Sequence, residues 1–240
     1  MNWVIEKNNE NKIVDSLSKE LNVDPLISSM LVNRGIKTFQ QAKDFFRPNL
    51  SQLHDPFLIK DMNIAVKKIL STIERNQAIM IFGDYDVDGT SAVALLSTYL
   101  KEIGGNISTY IPDRNKEGYG ISLRAIDLAS QNNQRLIIAL DCGIKANSEI
   151  EYALEKKIDF IICDHHNPSK VIPKALAVLN PKRSDCNYPF KDLCGCGVGF
   201  KLIQAINFKK GLKIENIINY LDLVALAIAA DIVPIVGENR

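Results

Sequence analysis

Two short acidic clusters concentrate the reactive side chains of this 240-residue chain. One is Gly83-Asp84-Tyr85-Asp86-Val87-Asp88-Gly89, and the other is Asp164-His165-His166. A further aspartate, Asp141, follows the apolar run 136–140, and Asp231 closes the apolar run 223–230. Carboxylates and imidazoles gathered in one place repel one another or are costly to desolvate, unless cations lie among them. Oxygen and nitrogen ligands without a thiolate suit a hard-to-borderline divalent ion such as Mn²⁺ or Mg²⁺, with zinc also possible. The set is larger than one ion requires, which implies two bridged ions about 3.5–4 Å apart. Such a pair makes a bridging water acidic and neutralises charge on a phosphoryl group, so the fitting chemistry is hydrolysis of a phosphoester or phosphoanhydride. A serine or cysteine nucleophile with a partnered base is not evident.

Each of these residues has a plainer explanation. Asp84-x-Asp86-x-Asp88-Gly89 matches a calcium loop at its first, third, fifth and sixth positions, but its twelfth position is Leu95 where a bidentate glutamate belongs. Capping of a helix that starts near Thr90 needs one aspartate and leaves two unexplained. In an extended loop, Asp86 and Asp88 point the same way and reach one ion or a bridged pair. Asp141 alone reads equally as a turn acid; its place past a strand end, beside the other clusters, favours a ligand. His165 and His166 are two of the chain's three histidines, and a tandem pair at a crevice is not typical of a core. His54 keeps a structural reading. Asp231 and Asp222 compete for one ligand position, and Asp231 is favoured because it stands nearer the helix end. The loop Pro112-Asp113-Arg114-Asn115-Lys116-Glu117-Gly118-Tyr119-Gly120 offers a guanidinium for phosphate and glycines that admit a ligand to the backbone, though a surface turn has the same composition.

The acids can meet only if the right elements carry them. From residue 78 short apolar runs alternate with amphipathic stretches: strands at 78–82, 107–111, 136–140 and 160–163, a further one at 175–179, and helices at 90–103, 122–131 and 146–156. This alternation predicts an α/β fold, a mostly parallel sheet flanked by helices on both faces. Ligands bind such sheets in the crevice past the carboxyl ends of the strands, which is where Asp84, Asp141 and Asp164 fall. A turn-rich segment comes after 181, then helices near 198–209 and 214–232. Ahead of the sheet, 9–46 reads as short helical pieces with starts at Asp24-Pro25 and Thr38 and a stop at Gly35, and 61–75 as one more helix. The expected division is a helical preface, 1–77, and a catalytic domain, 78–240.

Composition narrows the class. A formal net charge of +1 with 24% charged residues gives no electrostatic hint of a polyanionic partner. Five cysteines, an odd number, suit a reduced cytosolic protein better than a disulfide framework. Cys194-Gly195-Cys196 is too tightly spaced for the usual zinc knuckle. No secretory signal is visible, and the run 223–230 is far below the roughly 20 residues that span a bilayer. The expectation is a soluble, cytoplasmic protein with no membrane partner.

With these residues in view, the chain resembles the DHH phosphoesterase superfamily: the strand-borne Asp-x-Asp-Gly, the later strand-end aspartate, Asp-His-His and the final Ala-Asp match its four motifs. The likeness extends to RecJ-type single-strand-specific exonucleases through Phe45-Phe46-Arg47-Pro48, Asp55-Pro56-Phe57, Ile111-Pro112-Asp113-Arg114, Glu117-Gly118-Tyr119-Gly120, Gly197-Val198-Gly199-Phe200-Lys201-Leu202 and Asp231-Ile232-Val233-Pro234. The resemblance implies metal ligation by Asp86, Asp88, Asp141, His165 and Asp231. It implies catalytic positions for Asp84 and His166 at the edge of the site, with His166 on the scissile phosphate or the leaving oxygen. Arg114, Gly118, Tyr119 and Gly120 would face the nucleic acid backbone. The implied reaction is 5′ to 3′ removal of mononucleotides from single-stranded DNA, with a helicase and a single-strand-binding protein as partners in recombination and repair. Such proteins continue into DHHA1 and OB-fold domains that are not in this sequence, so a domain or fragment is expected. The alternatives are a small-nucleotide phosphodiesterase or pyrophosphatase of the same superfamily, and a non-catalytic scaffold.

Overall fold

The computed structural model describes residues 10–240; the first residues, where no secretory signal is visible, lie outside them. By contacts the chain divides into two compact units, one up to Leu53 with Arg240 and the other His54–Asn239.

The first unit holds helices α1 (Asn11–Leu21), α2 (Pro25–Asn33) and α3 (Phe39–Phe46), followed by a 3-10 turn, Leu50–Gln52. Local chemistry sets their ends. Asn22 stops α1 in the left-handed conformation, Asp24 accepts from the backbone N–H of Leu26 ahead of Pro25, and Thr38 with Gln41 forms a reciprocal capping box. Val14, Leu17, Leu31 and Val32 form its buried core.

The second unit begins with a 3-10 turn, Pro56–Leu58, and α4 (Met62–Glu74), then β1 (Ile79–Gly83), α5 (Val87–Glu102), β2 (Ile107–Tyr110), α6 (Leu123–Gln131), β3 (Leu136–Leu140), α7 (Asn147–Glu155), β4 (Asp159–Cys163), β5 (Ala177–Leu179), α8 (Gly195–Lys209), a 3-10 stretch Ile214–Tyr220, α9 (Leu221–Ala230) and a last 3-10 turn, Gly237–Asn239. Helix α4, grouped with the preface on sequence, packs here against α8 and β5. Its apolar stripe Ala65, Val66 and Ile69 is buried there.

All five strands are parallel, in the order β2-β1-β3-β4-β5. Every residue of β1 and β3 is buried, as continuous apolar runs in a sheet covered on both faces must be. Met80, Phe82, Ile137, Ala139, Phe160 and Ile162 join Ala125, Ile126, Ile150 and Ala153 of α6 and α7 on one face. Helices α5 and α8 pack on the sheet as well and against each other.

Two features of this topology place the site. The strand order reverses direction between β1 and β3, and a parallel sheet opens a crevice at such a switch point. The register aligns Gly83 with Leu140 and Leu140 with Cys163, so the next residues, Asp84, Asp141 and Asp164, stand in one row along the rim.

Helix α5 starts earlier than the sequence pattern places it. Asp86 is its N-cap and accepts from the backbone N–H of Gly89 at 2.9 Å, so Asp88 lies in the first helical turn and not in an extended loop. Asp86 and Asp88 consequently diverge. The helix can begin so close to the strand because Gly83 and Gly89 leave room: a Cβ on Gly89 would stand 2.5 Å from the backbone oxygen of Asp84 and 2.7 Å from its nitrogen. Gly89→Ala is expected to destabilise the fold by about 1–3 kcal/mol through this overpacking, read as a lower urea midpoint; an unchanged midpoint would show that the strand-to-helix turn has slack.

Candidate metal centre

The row of strand-end acids is the floor of the site. Asp84 is 1% exposed and its Oδ1 accepts from the backbone N–H of Tyr85 at 2.8 Å. Asp141, 2% exposed, leaves β3 with φ of +61°, a left-handed conformation that costs an L-residue roughly 1–2 kcal/mol. Its backbone N–H still pairs with the carbonyl of Cys163, so the strand is held to its last residue and then turns sharply. Asp164 organises the turn after β4. Its carboxylate accepts from the backbone N–H groups of Ile144, His165 and His166 and pairs with Nδ1 of His166 at 2.8 Å.

Helix α8 forms the wall. The two oxygens of Asp88 accept from the backbone N–H groups of Gly195 at 2.6 Å and Cys196 at 2.7 Å, so the carboxylate sits on the positive end of this helix. Gly195 is required for the approach, since a Cβ there would lie 2.5 Å from Asp141 Cβ.

His165 stands at the centre. Its Nε2 is 3.2 Å from Asp141 Oδ1, 3.6 Å from Asp231 Oδ2 and 3.8 Å from Asp88 Oδ2. Neither ring nitrogen has a hydrogen-bond partner although both are buried, and Oδ1 of Asp141 is likewise unpartnered. Buried polar atoms without partners are rare and point to a ligand. Three overlapping sets bring potential ligand atoms within 4.8 Å of one another: Asp84, Asp86 and Asp141; Asp88, His165 and Asp231; Asp141, His165 and His166. These oxygen and nitrogen donors fit divalent cations on two sides of Asp141 and His165.

The electrostatics agree with that fit. Burial, reinforced by Asp88 and Asp86, pushes the Asp141 carboxyl up to about 10. Burial also raises Asp84 and Asp88, the latter against the opposing backbone N–H groups. Acids whose charge burial disfavours gain from a cation placed among them. Asp164 differs: burial works against its charge, but the bonds from His166 and the backbone hold it below the usual carboxylate range. The same hydrogen bond raises His166.

The structure therefore brings Asp84, Asp86, Asp88, Asp141, His165, His166 and Asp231 together. Asp222 is not among them; it is exposed and accepts from the N–H of Leu223 in the first turn of α9. Tyr119 of the 112–120 loop reaches the rim, its hydroxyl 3.4 Å from His166 Nε2. Gly118 and Gly120 flank it with φ of +81° and +89°. Arg114 lies over the ring of Tyr85, 5.2 Å from its centroid, so it stands beside the first acidic cluster rather than among the ligand atoms. Sequence reading missed the organising role of Asp164 and the amides of Gly195 and Cys196. The available signal for the amides was a glycine between two small residues at a helix start, weighed only as a zinc knuckle.

Residues 78–228 match the DHH family, N-terminal domain. The chain belongs to the DHH family. Among its relatives, the single-stranded-DNA-specific exonuclease RecJ of Bacillus subtilis is 39% identical over 240 residues, covering 100% of this chain and 30% of that protein. The Escherichia coli protein of the same name is 31% identical over 226 residues, covering 90% and 38%. The chain thus spans about a third of the length of these relatives. In three dimensions it is similar to a crystal structure of exonuclease RecJ bound to manganese, with a TM-score of 0.71 at 30% identity over 80% of this chain and 47% of that one. It is similar also to RecJ from Thermus thermophilus in complex with Mn²⁺, with a TM-score of 0.78 at 26% identity over 95% and 32%. The five-stranded parallel sheet flanked by helices is the DHH fold expected from the sequence.

The raised acids dictate a pH dependence. The folded chain keeps a proton on Asp141 up to about 10, whereas an unfolded aspartate loses it near about 3.9. The Asp141 contribution to stability in chelator is therefore present in acid and is lost as pH rises between these values, by up to about 1.4 kcal/mol per pH unit. Asp141→Asn should flatten that slope and unfold at higher urea than the parent at pH 8 in EDTA. A parent whose stability climbs from pH 5 to 9 in EDTA would contradict the burial of an uncharged acid.

Proposed function

We propose that this chain is the catalytic part of a RecJ-type exonuclease, which hydrolyses single-stranded DNA from the 5′ end and releases 5′-mononucleotides in DNA recombination and repair. The observation that carries this reading is the meeting of buried acids around the unpartnered His165 at the sheet's switch point. The names of the relatives support the substrate, and the manganese in the solved structures supports Mn²⁺ or Mg²⁺ as the ion; the overlapping ligand sets support two such ions in this reading. Asp86, Asp88, Asp141, His165 and Asp231 are the ligands in this reading. Two bound cations would supply an acidic water at neutral pH and offset the charge of the phosphoryl group.

The chain's own groups do the rest. Asp164 fixes the ring of His166 and favours its protonated form, leaving Nε2–H to donate to a phosphate oxygen or the leaving oxygen beside the cations. Asp84 at the rim orients the attacking side through the Asp84-Asp86-Asp141 set. Arg114 presents a guanidinium to backbone phosphate, and Tyr119, 60% exposed between two glycines, offers a ring face to a terminal base. Residues 78–240 form the DHH domain in this reading, with 1–77 as its helical preface, of which α4 packs on that domain.

An enzyme confined to single strands needs duplexes opened and strands kept extended, so a helicase and a single-strand-binding protein are the fitting partners. Work on DNA and five free cysteines are compatible with the cytoplasm. No helix among the described residues is long and apolar enough to cross a membrane.

The test is release of mononucleotides from a 5′-phosphorylated oligomer by the complete protein, titrated with Mn²⁺. Asp141→Ala and His165→Ala should each lower the rate by at least about 100-fold. A higher rate on a dinucleotide or on pyrophosphate than on the oligomer would transfer the assignment to the small-substrate members of the family, and full activity in either variant would end it.

A further inference from the structure

Helix α8 holds a second polar device besides the amides that seat Asp88. Lys201, 1% exposed, donates to Oε1 of Glu238 at 2.8 Å and to the backbone carbonyl of His54 at 2.8 Å. The side chain of Glu238 is as fully out of water, and it also accepts from the backbone N–H of His54 at 2.9 Å and from the hydroxyl of Tyr188. Next to it Asn239 donates to the carbonyls of Asp192 and Pro234, and Gly237, with φ of +52°, runs against Phe190 where a Cβ would stand 2.8 Å from the ring. The 3-10 turn Gly237–Asn239 is pinned from several sides.

The stretch before this turn has no such anchorage of its own. Ile232, Ile235 and Val236 are 87%, 56% and 48% exposed. Ile232 has φ of +56°, a conformation that a β-branched residue occupies only when its surroundings impose it. Its exposed side chain cannot be what imposes it, which leaves the two flanking elements, α9 before and the pinned turn after. Asp231 sits at that junction as the C-cap of α9, and its carboxylate lies 3.6 Å from Nε2 of His165. Leaving one member of a buried ion pair without the other is costly, so the pair holds together the parts it joins.

We infer that Lys201 and Glu238 are a positioning pair: by tying the 237–239 turn to α8, they set the place of Asp231 against His165 and against the Asp88 that the same helix seats. The inference rests on the cation site proposed above. It makes α8 a common gauge for that site, seating Asp88 at its N-terminus, admitting Asp141 at Gly195 and fixing the Asp231 side through Lys201.

The experiment measures Mn²⁺ binding to the 240-residue chain by calorimetry, and amide hydrogen exchange of 231–236 in chelator. Lys201→Met/Glu238→Gln, which removes the charges without leaving one unpaired, should weaken Mn²⁺ binding by about tenfold or more and speed exchange in 231–236. The loss should overlap with that of Asp231→Ala when the changes are combined, yet add to that of Asp86→Ala on the opposite side of the site, a distinction that general loosening would not produce. Lys201→Gln/Glu238→Gln, which also removes both charges but keeps hydrogen-bonding groups at both positions, is the second variant should the first not fold. Parental Mn²⁺ affinity, full additivity with Asp231→Ala, or unchanged exchange would overturn the pairing role. If the parent chain itself takes up no Mn²⁺, the cation site fails, and the exchange arm alone decides whether the pair fixes this segment.

Discussion

A carboxylate buried among other carboxylates persists only where donors or cations face it, and helix α8 is how this fold meets that demand at Asp88. Two backbone N–H groups, at 2.6 and 2.7 Å, satisfy one oxygen each of this carboxylate. Asp141, a few ångströms across, has no such seat, and the result is a carboxyl held uncharged at ordinary pH and an imidazole with neither nitrogen engaged. The two acids differ because one lies on a helix terminus and the other past a strand end. That contrast gives the centre its character: one acid prepared by the fold, another left for a cation to complete.

The parallel sheet makes such a centre possible at little cost to the rest of the molecule. Continuous apolar strands bury themselves from both faces, and their register delivers Asp84, Asp141 and Asp164 to one rim without any of them entering the core. Among the residues in left-handed conformations, Asp141 is itself a ligand position and Ile232 directly follows another, Asp231. Asp164 then converts the row into a working surface, since its oxygens collect three backbone N–H groups and the His166 ring and so orient the tandem histidines in different directions. His165 faces the acids while His166 faces Tyr119.

Much of this was legible in the residues. The strands from 79 to 163, the helices between them and the strand-end positions of Asp84, Asp141 and Asp164 follow from apolar runs of strand length alternating with amphipathic stretches, a strong local signal. Asp231 over Asp222 was also recoverable, because Asp231 caps the far end of α9 whereas Asp222 lies in its first turn. The start of α5 lies three residues ahead of its place in the sequence pattern. An acidic Asp-Val-Asp-Gly stretch looks like a loop by composition, but an aspartate N-cap accepting from Gly89 makes it the opening turn of a helix. Helix α4 falls with the preface on sequence because its own pattern says only that it has an apolar face, not which partner covers it.

The sequence by itself determined the kinds of ligand, their places at element ends and the family they belong to, because these depend on side-chain chemistry and on periodicity within a few residues. Only the tertiary structure decided that Asp88 would rest on the amides of Gly195 and Cys196, that Gly195 would admit Asp141, and that Lys201 would reach Glu238. Those contacts join residues far apart along the chain. Their geometry is set by how α8 packs on the sheet and on α5, a property of the assembled core that no local stretch of residues encodes.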